Sequence, residues 1–241
     1  MKGISLSLGY GVHCIIGPNG SGKTTLIRII AGALKPSRGI VEIFGKKIRS
    51  IKDSVGLCIY VPSNPHMFLV GPRVRDDFDK ILRISGGESQ SIIDGCGLHE
   101  LLDKRIIELS EGQKRVVAIA SALLMNTRLI LLDEPSVGLD KSFRTKMMNM
   151  LRIASKDKII FIATNDLRIV YDVDTLILLR NGKIEAAGAP AEVLYDYGRL
   201  GFRTQIIDFL REINNNSLYR FHKIISPYDL YRALRGYFCS T

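Results

Sequence analysis

The sequence has no long apolar run. No apolar stretch approaches the ~18–20 consecutive residues that a membrane-spanning helix requires. The amino-terminal segment has Lys2 as its only basic residue, and glycines interrupt its apolar part. It leads directly into a loop motif and therefore does not resemble a signal peptide. We therefore expect a chain without a membrane span or an export signal.

Cysteine is scarce and shows no metal-binding or redox spacing. The chain has four cysteines and no CxxC pair. This pattern predicts reduced, mostly buried thiols in a cytoplasmic protein rather than a disulfide framework. The cysteines are Cys14, Cys58, Cys96 and Cys239.

Acidic residues are outnumbered by basic ones, which gives a formal net charge of +10. An excess of this kind suits a nucleic acid, an anionic lipid surface or a polyanionic ligand. The chain has no run of five basic residues and no aromatic-basic cluster of the RNA-binding type. We therefore expect no nucleic-acid partner.

With 241 residues, 46% of them hydrophobic, the chain can form one large domain or two small ones.

A glycine-rich stretch, GPNGSGKTT at 17–25, fits the phosphate-binding pattern G-x-x-x-x-G-K-[ST]. An apolar run at 12–16 predicts a buried strand before it, and 26–34 has the apolar spacing of a helix. The glycines let backbone N–H groups surround an anion, Lys23 should reach the β- and γ-phosphates, and the Thr24 hydroxyl should coordinate Mg²⁺. The expected nucleotide-binding residues are Gly17, Pro18, Asn19, Gly20, Ser21, Gly22, Lys23, Thr24 and Thr25.

A second apolar run ends in two carboxylates, in RLILLDEPSVGLD at 128–140. Such a run suits a central parallel strand, and ligands of open α/β sheets bind at the carboxyl ends of the strands. Asp133 is therefore expected to hold Mg²⁺, and the adjacent Glu134 to polarise an attacking water molecule.

Between these motifs stands LSEGQKR at 109–115, before a helical pattern at 116–124. Here the sequence resembles the ATP-binding-cassette (ABC) ATPase family, whose signature reads LSGGQ, with Glu111 as a variant of its middle position. The three motifs occur in the family's order and spacing over about residues 3–195. The signature residues, expected to bind the ATP of a partner domain, are Ser110, Glu111, Gly112 and Gln113, with Ser110 also expected to cap the helix.

The resemblance implies the family's mechanism. Two ABC ATPase domains, identical or different, would pack head to tail with ATP and Mg²⁺ between them, and hydrolysis would separate them. Asp140 resembles the D-loop residue that crosses this interface. Membrane-spanning permease subunits would be separate chains, and this chain would be attached to them at the inner face of the cell membrane.

The implied fold is α/β: a mostly parallel sheet of the P-loop type, an antiparallel N-terminal β part and a small helical lobe. Strands are expected at 3–8 and 41–44, and the helical lobe at about 66–127. The ABC domain would end at 195, and 196–241 would form a C-terminal helical extension. That extension could pack on its own core or provide a partner surface.

Two positions depart from the family pattern. The connecting loop has Ser63 where glutamine ligates Mg²⁺, and a serine could reach the metal only through water; the adjacent Asn64 should point to the other face. Asn165 replaces the switch histidine that donates to the γ-phosphate, and it offers one neutral amide donor instead. The family also stacks adenine on an aromatic residue farther upstream; the sequence starts too late to include it, and Tyr10 is a poor replacement.

Neutral drift with slow but real hydrolysis would explain Ser63 and Asn165, and so would a degenerate subunit that binds ATP beside an active partner. The retained Glu134 favours drift. The function expected first is the energy-coupling ATPase subunit of an ABC transporter. A soluble ABC ATPase outside transport and a non-catalytic nucleotide-gated module remain alternatives.

Overall fold

The computed structural model describes residues 1–86, 93–94 and 97–199, and a six-stranded sheet forms its centre. The strands of the described part are β1 (Gly11–Ile16), β2 (Val41–Ile43), β3 (Lys46–Ile48), β4 (Cys58–Val61), β5 (Leu129–Asp133), β6 (Ile159–Ala163), β7 (Thr175–Arg180) and β8 (Lys183–Gly188). The α-helices there are α1 (Lys23–Ile30), α2 (Ile51–Ser54), α3 (Val74–Ser85), α4 (Glu111–Leu124), α5 (Lys141–Ala154) and α6 (Pro190–Arg199).

The central sheet has the strand order β4-β5-β6-β1-β7-β8. All neighbouring pairs are parallel except β7 and β8, which form an antiparallel hairpin through the turn Asn181-Gly182. Both turn residues have positive φ, as a two-residue hairpin of this kind requires. The sheet confirms the expected mostly parallel α/β fold.

Side chains of the central strands alternate between two hydrophobic clusters. Ile130 and Leu132 of β5 face the larger cluster, which contains the buried residues of α4 and α5. Leu131 faces the smaller cluster with Leu26 and Ile27 of α1. Because both faces of β5 are covered, its sequence is apolar at successive positions rather than at alternate ones.

One expected strand and two expected element boundaries were wrong. Residues 3–8 form no strand: their apolar residues pack on the smaller cluster, but no backbone ladder joins them to another described strand. Helix α1 begins at Lys23 and ends at Ile30 rather than continuing to 34, because Gly32 adopts a left-handed φ of 73° and ends the helix. Strand β2 stops at Ile43, since Phe44 and Gly45 form the turn to β3.

The β2–β3 hairpin is the antiparallel part near the N-terminus. Within the predicted lobe of 66–127, the described residues form α3, two short 3₁₀ turns at His99–Leu101 and Ile106–Glu108, and α4. Helix α6 runs across residue 195, where the ABC domain was expected to end, and that domain boundary stays a prediction. The expected extension from residue 200 onward lies outside the described residues. In the part of the chain that the structure describes, no helix is both long and apolar enough to cross a membrane.

Candidate nucleotide-binding site

The motif residues meet at the carboxyl edge of the central sheet. Strand β6 lies between β1 and β5, with Ala163 paired to Ile15 on one side and to Asp133 on the other. The glycine-rich stretch 17–25, called the P-loop from here on, follows β1; Glu134 follows β5, and Asn165 follows β6 by two residues. Parallel neighbours end at the same edge, so these three segments are brought together.

The P-loop has a shape that only glycine permits at its start. A Cβ on Gly17 would overlap the carbonyl oxygen of Leu179 and would stand 2.9 Å from Ser21 Oγ. Gly20 and Gly22 have φ of 79° and 109°, which turn the chain into α1. The Ser21 hydroxyl is buried and has no hydrogen-bond partner in the described structure. A buried, unsatisfied hydroxyl in a loop of this kind fits a phosphate oxygen.

Lys23 is buried at the first position of α1, with 7% of its surface exposed. Its Nζ donates to the carbonyl oxygens of Gly17 at 2.8 Å and Pro18 at 3.4 Å. Burial lowers the pKa of the Lys23 ammonium, and the nearby carboxylates of Glu134 and Asp133 offset part of that effect. The arrangement keeps a partly desolvated cation beside the loop, where an anionic phosphate would be attracted strongly.

Thr24 and Asp133 form one hydrogen-bonded pair across the site. Thr24 Oγ1 donates to Asp133 Oδ1 at 3.1 Å, and the Tyr60 hydroxyl donates to Asp133 Oδ2 at 3.3 Å. Burial raises the pKa of the Tyr60 phenol, so it stays a neutral donor. No group of three or more His, Cys, Asp or Glu side chains among the described residues could hold a metal ion by itself. A hydroxyl and a carboxylate do fit Mg²⁺, which usually takes its remaining ligands from phosphate and water.

Glu134 is held on several sides in an uncommon backbone conformation, with φ of 50°. Its N–H donates to the Ala163 carbonyl at 2.7 Å. Its Oε2 accepts from the buried Thr164 hydroxyl at 2.8 Å and from the Asn165 N–H at 3.3 Å. The carboxylate is thereby directed to the end of β6, next to the P-loop.

The two unusual positions differ in how they are engaged. The Asn165 side-chain amide donates to Asn19 Oδ1 at 2.6 Å, so it contacts the P-loop directly. Ser63 is exposed, and its hydroxyl makes no hydrogen bond to any described residue. Asn64 Oδ1 accepts from the His66 N–H at 3.0 Å and caps the short turn at Pro65–Met67. This local bond engages the Asn64 side-chain oxygen, and the expected direction of the side chain relative to the metal ligands stays a prediction.

The signature segment begins α4 through a reciprocal capping box. Ser110 Oγ accepts from the Gln113 N–H at 3.2 Å, and Gln113 Oε1 accepts from the Ser110 N–H at 3.0 Å, which confirms Ser110 as the N-cap. Glu111, in place of the family's glycine, pairs with Lys114 at 3.1 Å and His66 at 3.0 Å. The Lys114 hydrogen bond and the His66 contact lower the pKa of the Glu111 carboxyl, so its charge is retained but partly neutralised.

Asp140 is exposed and caps α5, because its Oδ1 accepts from the Phe143 N–H at 2.8 Å. The described chain alone thus gives Asp140 a helix-capping role, and its interface role stays a prediction.

Sequence reasoning missed four contacts of the site. Tyr60 binds the metal-ligand candidate Asp133, Thr164 binds the Glu134 carboxylate, Arg115 binds the Glu134 carbonyl, and His66 binds Glu111. The missed residues stand inside or next to the stretches used to recognise the motifs, but no spacing rule assigns them a partner.

A strand, a glycine loop and a helix that carries Lys23 and Thr24, with Asp133 at the end of a nearby parallel strand, define a P-loop nucleotide-binding protein. The sequence profile of the ABC transporter family matches residues 1–137. The chain therefore belongs to the ABC transporter family.

Curated relatives and solved structures agree with this membership. The chain is 33% identical over 216 residues to the energy-coupling factor transporter ATP-binding protein EcfA1 of Ureaplasma parvum, covering 83% of this chain and 72% of that protein. It is 35% identical to EcfA1 of Mycoplasma pneumoniae over 193 residues, with 75% and 69% covered.

Among structures, cbiO1 of Clostridium perfringens, part of the transporter complex cbiONQ, superposes with a TM-score of 0.73 at 29% identity. That superposition covers 88% of this chain and 92% of cbiO1. A dimeric bacterial ABC transporter cassette has a TM-score of 0.65 at 24% identity, with 76% and 88% covered, and supports the fold.

Proposed function

We propose that this chain is the ATP-binding, ATP-hydrolysing subunit that supplies energy to an ABC transporter. The observation that carries the proposal is the position of the Glu134 carboxylate. It is held by Thr164 and Asn165 at the sheet edge that also presents the P-loop lysine. A carboxylate oriented in this way can accept a proton from a water molecule that attacks the terminal phosphate.

The P-loop residues perform the binding step. The backbone of 17–22 and the Ser21 hydroxyl would surround the phosphates, and the Lys23 ammonium would leave the loop carbonyls for the β- and γ-phosphate oxygens. Thr24 and Asp133 would hold Mg²⁺, and Ser63 would reach it only through water. Mg²⁺ supplies neutralisation of the developing phosphate charge when bound.

Hydrolysis would require a second ABC ATPase domain, because in this family the signature segment of one domain covers the ATP that is bound by the other. Ser110, with the backbone of Gly112 and Gln113, would cover the γ-phosphate bound by the partner, and Asp140 would lie at the same interface. The Glu111 side chain, already paired with Lys114 and His66, would add little net repulsion toward that phosphate.

The transporter assignment has its support in the relatives named EcfA1 and in cbiO1, which is part of a transporter complex. We infer that separate permease subunits bind this chain at the inner face of the membrane, and that residues 1–195 form the ATPase domain with 196–241 as an extension. We infer slow hydrolysis, because Asn165 offers a neutral donor in place of a histidine.

The test is Glu134→Gln, which removes the base and keeps the shape of the side chain. We expect phosphate release to fall to the background rate while an ATP-dependent dimer accumulates on size-exclusion chromatography, with the permease and any partner ATPase present. The exposed Glu185 on β8 provides the matched control, since Glu185→Gln makes the same charge change away from the site. If Glu134→Gln forms no ATP-dependent dimer of ATPase domains when the permease, any partner ATPase and ATP are all present, the proposal is contradicted.

A further inference from the structure

The backbone conformation of Glu134 lacks a local explanation. Three described non-glycine residues have positive φ: Phe44, Glu134 and Asn181. Phe44 and Asn181 are followed by glycine in two-residue hairpin turns, where positive φ is required. Glu134 is instead followed by Pro135 at the end of β5, and its strained conformation must be held by its surroundings.

The structure places Arg115 in contact with this residue. Its guanidinium Nη1 donates to the Glu134 carbonyl oxygen at 2.8 Å, across 19 residues of sequence. The same carbonyl accepts a longer bond of 3.4 Å from the Val137 N–H. Because the Glu134 N–H is bound to Ala163, both backbone polar groups of Glu134 are held, the N–H by the neighbouring strand β6 and the carbonyl by α4.

Arg115 is well suited to hold a carbonyl rigidly. It is half-buried, and burial lowers the pKa of its guanidinium, which nevertheless stays charged because an arginine titrates far above neutrality. A charged donor in a partly desolvated place makes a stronger hydrogen bond than a neutral one. Loss of this donor would leave the Glu134 carbonyl with the longer Val137 bond, and the carboxylate would then be held less firmly against Thr164 and Asn165.

We propose that Arg115 is a positioning residue that holds Glu134 in its reactive conformation and links it to the signature segment. Arg115 lies two residues after Gln113 on α4. This inference rests on the proposed function, in which each ATP of the dimer lies between the P-loop of one domain and the signature segment of the other. Residues Ser110 to Gln113 of a chain then contact one ATP, and Glu134 of the same chain serves the other. A movement of α4 at one site therefore moves the donor that orients the base of the other.

The first experiment compares Arg115→Met and Arg115→Lys with Lys158→Met. Lys158 is the matched control, because it is also a basic side chain whose pKa is lowered by burial. Its Nζ donates to the Thr127 carbonyl at 2.9 Å, just before the start of β5 and therefore at the opposite end of that strand from Glu134. Hydrogen exchange of the backbone amides of Glu134 and of 136–139 should be faster in Arg115→Met than in the wild type; Pro135 has no amide hydrogen. It should be unchanged in Lys158→Met and intermediate in Arg115→Lys, which keeps a donor without the planar fork.

The second measurement is steady-state phosphate release by the full chain with its partners. We expect Arg115→Met to lower kcat about tenfold or more with KM for Mg-ATP within about twofold, and Lys158→Met to change neither. The Hill coefficient for ATP should fall from above 1 toward 1 in Arg115→Met. Equal exchange in Arg115→Met and wild type, an unchanged kcat, or an unchanged Hill coefficient would each overturn the proposal.

Failure of the proposed function would give a different experimental result. A wild-type chain that binds ATP without dimerising or releasing phosphate would contradict the transporter-ATPase assignment, along with the link between sites. The exchange measurement would then still decide whether Arg115 holds the Glu134 peptide, since it needs no hydrolysis.

Discussion

Replacing Asn165 by histidine should raise the rate of ATP hydrolysis. The Asn165 amide donates to Asn19 Oδ1 at 2.6 Å, so this neutral donor is already engaged by the P-loop. A histidine can carry charge, and charge-assisted hydrogen bonds are about twice as strong as neutral ones. Removal of one preorganised donor from an active site typically costs on the order of 10²–10³ in kcat.

The expected gain is smaller than that range. Asn165 already supplies one donor, and its backbone N–H, which a substitution keeps, holds the Glu134 carboxylate at 3.3 Å. We therefore expect about a tenfold increase for Asn165→His with Ser63→Gln, which corresponds to about 1.4 kcal/mol of barrier. Both groups act on one transition state, so the effects of the two substitutions should not simply add.

The assay is steady-state phosphate release at saturating Mg-ATP, with Glu134→Gln as the blank. Asn19→Ala provides the structural control, because it breaks the same Asn165–Asn19 hydrogen bond and leaves the donor at 165 in place. If Asn165 serves hydrolysis, Asn165→Ala should lower kcat more than Asn19→Ala does. A wild type that turns over at several per second, together with a double variant that is no faster, would refute the weakened-switch reasoning.

Two further predictions concern the P-loop. Lys23→Ala should abolish binding of a fluorescent ATP analogue and leave the far-UV circular dichroism unchanged, since the ammonium contacts only loop carbonyls; unchanged affinity would remove the P-loop assignment. Gly17→Ala should destabilise the fold in urea by several kcal/mol, because its Cβ would overlap the Leu179 carbonyl. Gly20→Ala, with nothing within 4 Å of its Cβ, should cost only the ~1–2 kcal/mol of a left-handed alanine, and equal losses would contradict this distinction.

The local motifs could be predicted from the sequence because each depends on contiguous residues. The run before Gly17 must be a strand and Lys23 must begin a helix for the loop to bind phosphate, and both features are present in the structure. The cap at Ser110 depends in the same way on Gln113, three residues later. The strand at 3–8 was wrong because alternating apolar residues indicate a buried face but do not supply a hydrogen-bonding partner.

The sequence by itself determined the class of protein, the phosphate loop, and the carboxylate pair that ends β5. Only the tertiary structure decided which side chains orient that pair. Tyr60 reaches Asp133 across 73 residues, and Arg115 reaches the Glu134 carbonyl across 19. These contacts depend on the order β4-β5-β6-β1 and on the packing of α4 against the sheet, and neither is encoded in the local spacing of any one segment.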